Sequence, residues 1–198
     1  EGKLFTLNLC AGEVLFDEKI ELFNGKEYRH FDQRRSKIAA AILKGMNPKL
    51  RRGMSVLYLG ASHGYTPSFV SDIVGEDGFV FALDFAPRVV RDLVFVCEKR
   101  KNIAPILADA YHPETYASRV FPVDYLYQDI AQKNQAEIFI KNAIMFLRNG
   151  GYGFLAVKSR SVDITKKPSE VYASVRKALE KHFEILDFKV LDPFEKDH

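Results

Sequence analysis

The chain has 198 residues, 47% of them apolar and 28% charged, with a formal net charge of +3. That length suits one domain, and that composition excludes the disordered and fibrous classes. No run approaches the ~18 apolar residues a membrane-spanning helix needs, and no basic-then-apolar leader opens the sequence. Cys10 and Cys97 form no C-x-x-C pair, so neither a disulfide framework nor a zinc knuckle is supported and a reducing cytoplasm is expected.

Charge is unevenly spread. Residues 1–52 hold 11 basic and 7 acidic groups, a net of +4, and the remainder holds 18 and 19, a net of −1. Within Arg29–Arg52 there are eight basic residues against the single acid Asp32. Such a stretch is a candidate polyanion face, or equally a solvated helix surface followed by a basic linker.

In chain order, Lys3–Leu9, Glu13–Phe16 and Lys19–Phe23 are short apolar pieces punctuated by Gly12 and by Asn24-Gly25, a tight-turn signal. They predict a small antiparallel β unit. The Ala-rich Ser36–Leu43 predicts a helix, ended by Asn47-Pro48. These elements form an expected N-terminal unit over 1–52. From residue 53 the pattern changes. Strands are predicted at Ser55–Leu59, Phe79–Leu83, Ile103–Leu107, Val123–Tyr127, Tyr152–Val157 and Glu184–Val190. Helices are predicted at Ser68–Val74, Pro87–Lys99, Gln135–Leu147 (closed by Asn149-Gly150-Gly151) and Ser169–His182. Strands alternating with helices predict an α/β fold over 53–198: a Rossmann-like parallel sheet with helices on both faces.

Right-handed crossovers put all strand C-termini on one edge, where ligands of open α/β sheets bind. Asp84, Asp109, Asp129 and Lys158 follow four of these strands. After the first strand, Gly60-Ala61-Ser62-His63-Gly64 lets the backbone approach a ligand closely, though it could equally be a tight turn. Asp84 lies 24 residues after Gly60, as an acid that holds ribose hydroxyls would. Asp109 suits an amine edge such as adenine's; the alternative for both acids is a helix cap. A nicotinamide cofactor needs a pyrophosphate cradle, and this turn is G-x-x-x-G rather than G-x-G-x-x-G. S-adenosylmethionine is therefore the better candidate. Asp129 and Lys158 would flank a reaction centre, where a lysine can hold or deprotonate an oxygen nucleophile, unless they form only a structural ion pair. The histidines at 30, 63, 112, 182 and 198 show no metal-ligand spacing.

Several strings, in order, resemble the fibrillarin family. They are Glu27-Tyr28-Arg29, Arg35–Leu43 (RSKIAAAIL), Tyr58-Leu59-Gly60, Val70-Ser71-Asp72, Phe85-Ala86-Pro87-Arg88, Asp129-Ile130-Ala131-Gln132, Gly150–Gly153, Ala156–Ser161 (AVKSRS) and Asp192–His198 (DPFEKDH). The resemblance implies an S-adenosylmethionine-dependent RNA 2′-O-methyltransferase. It would act on rRNA, and possibly tRNA, inside a box C/D ribonucleoprotein with a guide RNA, a Nop-family scaffold protein and, indirectly, a kink-turn-binding protein. The absence of a Gly/Arg-rich N-terminal tail resembles archaeal members, and a cytoplasmic location follows. Motif by motif, the resemblance implies cofactor contacts at Tyr65, Thr66, Asp84, Phe85, Asp109, Ala110, Asp129, Ile130, Ala131 and Gln132. It implies a catalytic set of Lys37, Asp129, Lys158 and His198, with Asp129 positioning Lys158. Ser62-His63-Gly64-Tyr65-Thr66 departs from the usual Ala-Ser-Gly-Thr-Thr, Asp84 replaces a usual Glu, and a last antiparallel strand is expected beyond His198. Two other readings stay open: a non-catalytic scaffold of methyltransferase fold, and a methyl- or aminopropyltransferase acting on a small molecule.

Overall fold

Asn24 and Gly25 both adopt positive φ (50° and 73°), the geometry of the two-residue turn that matches strand twist. That turn joins β2 (Ile20–Phe23) to β3 (Lys26–His30), and β1 (Phe5–Leu7) pairs with the other edge of β3, giving a three-stranded antiparallel sheet. The structure, a computed structural model, describes residues 2–198. The expected strand at Glu13–Phe16 is instead an irregular loop, tied at its end by the Phe16 N–H donating to Glu18 (2.7 Å). Helix α1 (Lys37–Leu43) follows, burying Ile38, Ala39, Ala40 and Ala41.

The apolar runs further along form a second sheet: β4 (Ser55–Leu59), β5 (Phe79–Asp84), β6 (Ile103–Leu107), β7 (Val123–Asp129) and β8 (Leu147–Ala156). All are parallel, in the order β6-β5-β4-β7-β8. Helices α2 (Tyr65–Val74), α3 (Pro87–Lys99) and α4 (Gln135–Phe146) connect them, and α5 (Ser159–Val162) and α6 (Pro168–Leu179) follow β8. Side chains of β4 alternate between two cores. Val56 and Tyr58 pack with Ile38, Phe69 and Tyr127 on one face; Leu57 and Leu59 pack with Ile138, Phe146 and Val171 on the other. The first core draws on both sides of the 52/53 boundary.

Two boundaries differ from expectation. Asn149-Gly150-Gly151 does not close α4 but lies inside β8, where Val123 faces Leu147 and Tyr125 faces Tyr152, so 148–151 bulge from the ladder. Glu184–Val190 is extended but pairs with nothing among the described residues, and Leu186, Phe188 and Val190 remain exposed.

A buried ionic cluster joins the two sheets. Asp72 on α2 accepts from Arg29 Nη1 (2.8 Å), Arg100 Nη1 (2.6 Å), Thr6 Oγ1 (2.8 Å) and the Leu9 N–H (3.2 Å). Arg29 also pairs with Glu18 (2.6 Å) and lies 4.0 Å over the Phe69 ring. Arg29 is 0% and Arg100 1% exposed. The basic stretch is therefore not one polyanion face. Arg29 is sealed in the core, Arg34 is held by Asp32, Arg35 lies over Tyr65, Lys44 donates to the Asp192 carbonyl, and Arg52 pairs with Asp77.

Candidate active site

The strand ends build the site. β4 stops at Leu59, and the Gly60 and Ala61 N–H groups both donate to the Leu83 carbonyl (2.9 Å each), turning the chain across the end of β5. Gly60 sits at φ +85°, and a Cβ there would lie 2.1 Å from the Asp129 carbonyl oxygen. Only glycine allows this approach. The Ser62 N–H (2.9 Å) and the Ala86 N–H (3.1 Å) each donate to one carboxylate oxygen of Asp84, fixing its direction. The Tyr111 N–H holds Asp109 in the same way (2.9 Å).

These residues surround a cleft of about 150 Å³. Gly60, Asp84 and the 64%-exposed Phe85 form one wall. Asp109 and Ala110 form a second, and Asp129 through Gln132 a third. Two of the expected cofactor residues lie elsewhere. Tyr65 begins α2 and turns toward the N-terminal unit, where its hydroxyl accepts from the Asp32 N–H (3.3 Å) and its ring meets Phe16 (5.5 Å). Thr66 is buried and donates to Ser36 Oγ (3.1 Å).

Beside the cleft, Lys37 at the start of α1 places Nζ 3.3 Å from Asp129 Oδ2 and 3.7 Å from Glu195 Oε1. His198 Nδ1 lies 3.9 Å from Glu195 and 2.9 Å from the Lys196 carbonyl, so Nδ1 carries the hydrogen and donates to that carbonyl. Asp129 thus pairs with Lys37 and not, as expected, with Lys158, which has no carboxylate within 4 Å of its amine among the described residues. The backbone of Lys158 is fixed nonetheless. Its N–H donates to Gln135 Oε1 (3.1 Å), and its carbonyl accepts from Gln135 Nε2 (3.3 Å). Ser159 donates through both N–H and Oγ to the Asp197 carbonyl (3.0 Å each), bringing the segment before His198 against the Lys158 turn. Below Asp129, burial pushes the Tyr58 and Tyr127 hydroxyls well above the usual phenol range, and the Asp129 charge adds to this. Neither can serve as a base near neutral pH.

Two residues in this arrangement escaped the sequence reading. Glu195 bridges Lys37 and His198; the acid is visible in the Pro-Phe-Glu-Lys-Asp-His string, but its partner lies at the other end of the chain. Gln135 clamps Lys158 from inside α4, where the sequence shows only a helix start.

The fibrillarin family profile matches residues 1–198. The chain belongs to the fibrillarin family. Among relatives of this fibrillarin-family chain is the fibrillarin-like rRNA/tRNA 2′-O-methyltransferase of Thermococcus onnurineus, 49% identical over 197 residues, covering 99% of this chain and 87% of that protein. The crystal structure of Aeropyrum pernix fibrillarin with natively bound S-adenosyl-L-methionine superposes with a TM-score of 0.92 at 48% identity, covering 99% of this chain and 86% of that one. A fibrillarin in complex with Nop5p matches with a TM-score of 0.84 at 44% identity, covering 89% and 83%.

Among the described residues, no helix of this family member is long and apolar enough to cross a membrane. No cluster of three or more His, Cys, Asp or Glu could hold a metal ion there.

Proposed function

We propose that this chain transfers a methyl group from S-adenosylmethionine to ribose 2′-hydroxyls of rRNA and tRNA. It would do so in the cytoplasm as the catalytic subunit of a box C/D ribonucleoprotein. The guide RNA selects the ribose, a Nop-family protein is the scaffold, and a kink-turn-binding protein joins through the RNA. One observation supports this most: the cleft wall ends in Asp129, and Asp129 holds Lys37 at 3.3 Å, so a cofactor seat and an ion pair suited to a polar acceptor share one strand end.

The cleft fits the cofactor. Asp84 and Asp109 have free lone pairs beyond their backbone bonds, for ribose hydroxyls and an adenine amine. Phe85 offers an exposed ring face, and Gly60 keeps the floor open. When bound, S-adenosylmethionine supplies a methyl group on a sulfonium, a carbon already activated for displacement. The protein's residues then have to hold the acceptor. Lys158 orients the 2′-hydroxyl and helps draw off its proton. Lys37 adds positive charge where the oxygen becomes an alkoxide. Asp129 fixes Lys37, and Gln135 fixes the Lys158 backbone. Much of the acceleration comes from this orientation.

The test is transfer of tritiated methyl to a guided RNA in the assembled particle. Label is expected in the guided nucleotide and absent when that nucleotide is 2′-deoxy. Label persisting on the deoxy target, or none on any RNA, overturns the reading.

Two variants probe the geometry. Gly60→Ala adds a left-handed strain of about 1–2 kcal/mol and a clash with the Asp129 carbonyl, so cofactor affinity by titration calorimetry should fall about tenfold or more. Glu195→Gln leaves the cleft intact, so cofactor affinity should hold while the transfer rate drops about tenfold. A rate unchanged in Glu195→Gln would remove Glu195 from the machinery.

A further inference from the structure

A second concavity, of about 370 Å³, lies between Lys3, residues 30–34 and residues 193–194. A line of contacts leads to it from the cofactor cleft. Asp129 in the cleft wall holds Lys37, Lys37 meets Glu195, and the neighbouring Phe194 forms part of the new wall. The lining also carries Lys3, His30 and Arg34. The one acid, Asp32, is neutralised in place. Its Oδ1 accepts from the Arg34 N–H (2.9 Å) and Nε (3.1 Å), its Oδ2 accepts from Arg34 Nη2 (2.8 Å), and these bonds hold its carboxyl below the usual range. The guanidinium is thereby oriented, with Nη1 free to donate.

Displacement at a methyl carbon requires the acceptor oxygen to enter opposite the leaving sulfur. The acceptor therefore approaches from the side away from the sulfur, and the contacts from Asp129 through Lys37 to Glu195 run from the cleft wall to the neighbour of Phe194 in this concavity. Its chemistry is a lysine, an imidazole and the Nη1 edge of the Asp32-paired Arg34 guanidinium for phosphate oxygens, with a phenylalanine ring and a proline in the same lining for a base. We propose that it seats the phosphodiester and base of the nucleotide next to the methylated ribose. This deepens the RNA reading above and rests on it.

The test uses the assembled particle with target RNA carrying 4-thiouridine on either side of the guided nucleotide. Near-ultraviolet irradiation should cross-link it to peptides containing residues 28–34 or 193–194. Lys3→Glu combined with Arg34→Glu should slow single-turnover transfer about tenfold or more. Cofactor affinity and melting temperature should stay at wild-type values. If the wild-type particle labels the guided ribose but cross-links map to another surface and the double variant transfers at full rate, the seat is overturned and the RNA reading stands. If the wild-type particle labels no RNA, the RNA reading falls and the seat falls with it.

Discussion

Lys158→Ala, assembled with guide RNA and a Nop-family partner, is expected to lose about 10²–10⁴-fold in methyl transfer. Cofactor affinity should stay within about twofold, because Lys158 is not part of the cleft wall. The turn should survive, since Gln135 holds the backbone of residue 158 and not its side chain. Lys158→Arg separates two roles. Arginine keeps the charge but cannot take a proton, so rescue by arginine would assign Lys158 to charge stabilisation alone. Transfer by Lys158→Ala at near wild-type rate would sink the assignment.

Asp72→Ala should be the most damaging single change to stability, at about 3–5 kcal/mol. For a chain of this length that corresponds to a fall of about 10 °C or more in melting temperature. The carboxylate receives four donors, two of them from arginines that are fully buried. Removing it leaves Arg29 with Glu18 as its one carboxylate and Arg100 with none among the described residues, both still out of water. Urea unfolding measures the loss, and a change under about 1 kcal/mol would show that the cluster is solvated in solution. Glu18 gives the same cluster a pH dependence. Burial alone would raise its carboxyl pKa, but backbone N–H bonds and the charge of Arg29 outweigh burial and hold it low. A lowered folded value means that its contribution is complete above the ordinary glutamate pKa. The contribution is lost as pH falls through the folded value.

Much of the fold was legible because it rests on local pattern. The alternation of short apolar runs with helices put Asp84 and Asp129 at strand ends on one edge, and Asn24-Gly25 marked its hairpin. What failed depends on partners far along the chain. Arg29 looks like one charge in a basic field until Asp72, 43 residues later, closes over it. That the side chains of Tyr65 and Thr66 meet Asp32, Phe16 and Ser36 was likewise not readable from the loop motif. At the site, Asp129 and Lys37 were both nameable from the sequence, whereas their direct pairing, and Glu195 behind it, could only be seen in three dimensions.

The cluster around Asp72 also sets the order in which the chain can mature. Asp72 is 66 residues from Thr6, 43 from Arg29 and 28 from Arg100. Synthesis runs from the N-terminus at about 5–20 residues per second, so the three short strands emerge several seconds before Arg100 exists. A sheet that small is marginal alone, and its buried arginine lacks the Asp72 carboxylate until α2 is made. A segment made before Asp72 and Arg100 is therefore among the last to lock. Its closure is a long-range, slow event that waits on the domain it precedes.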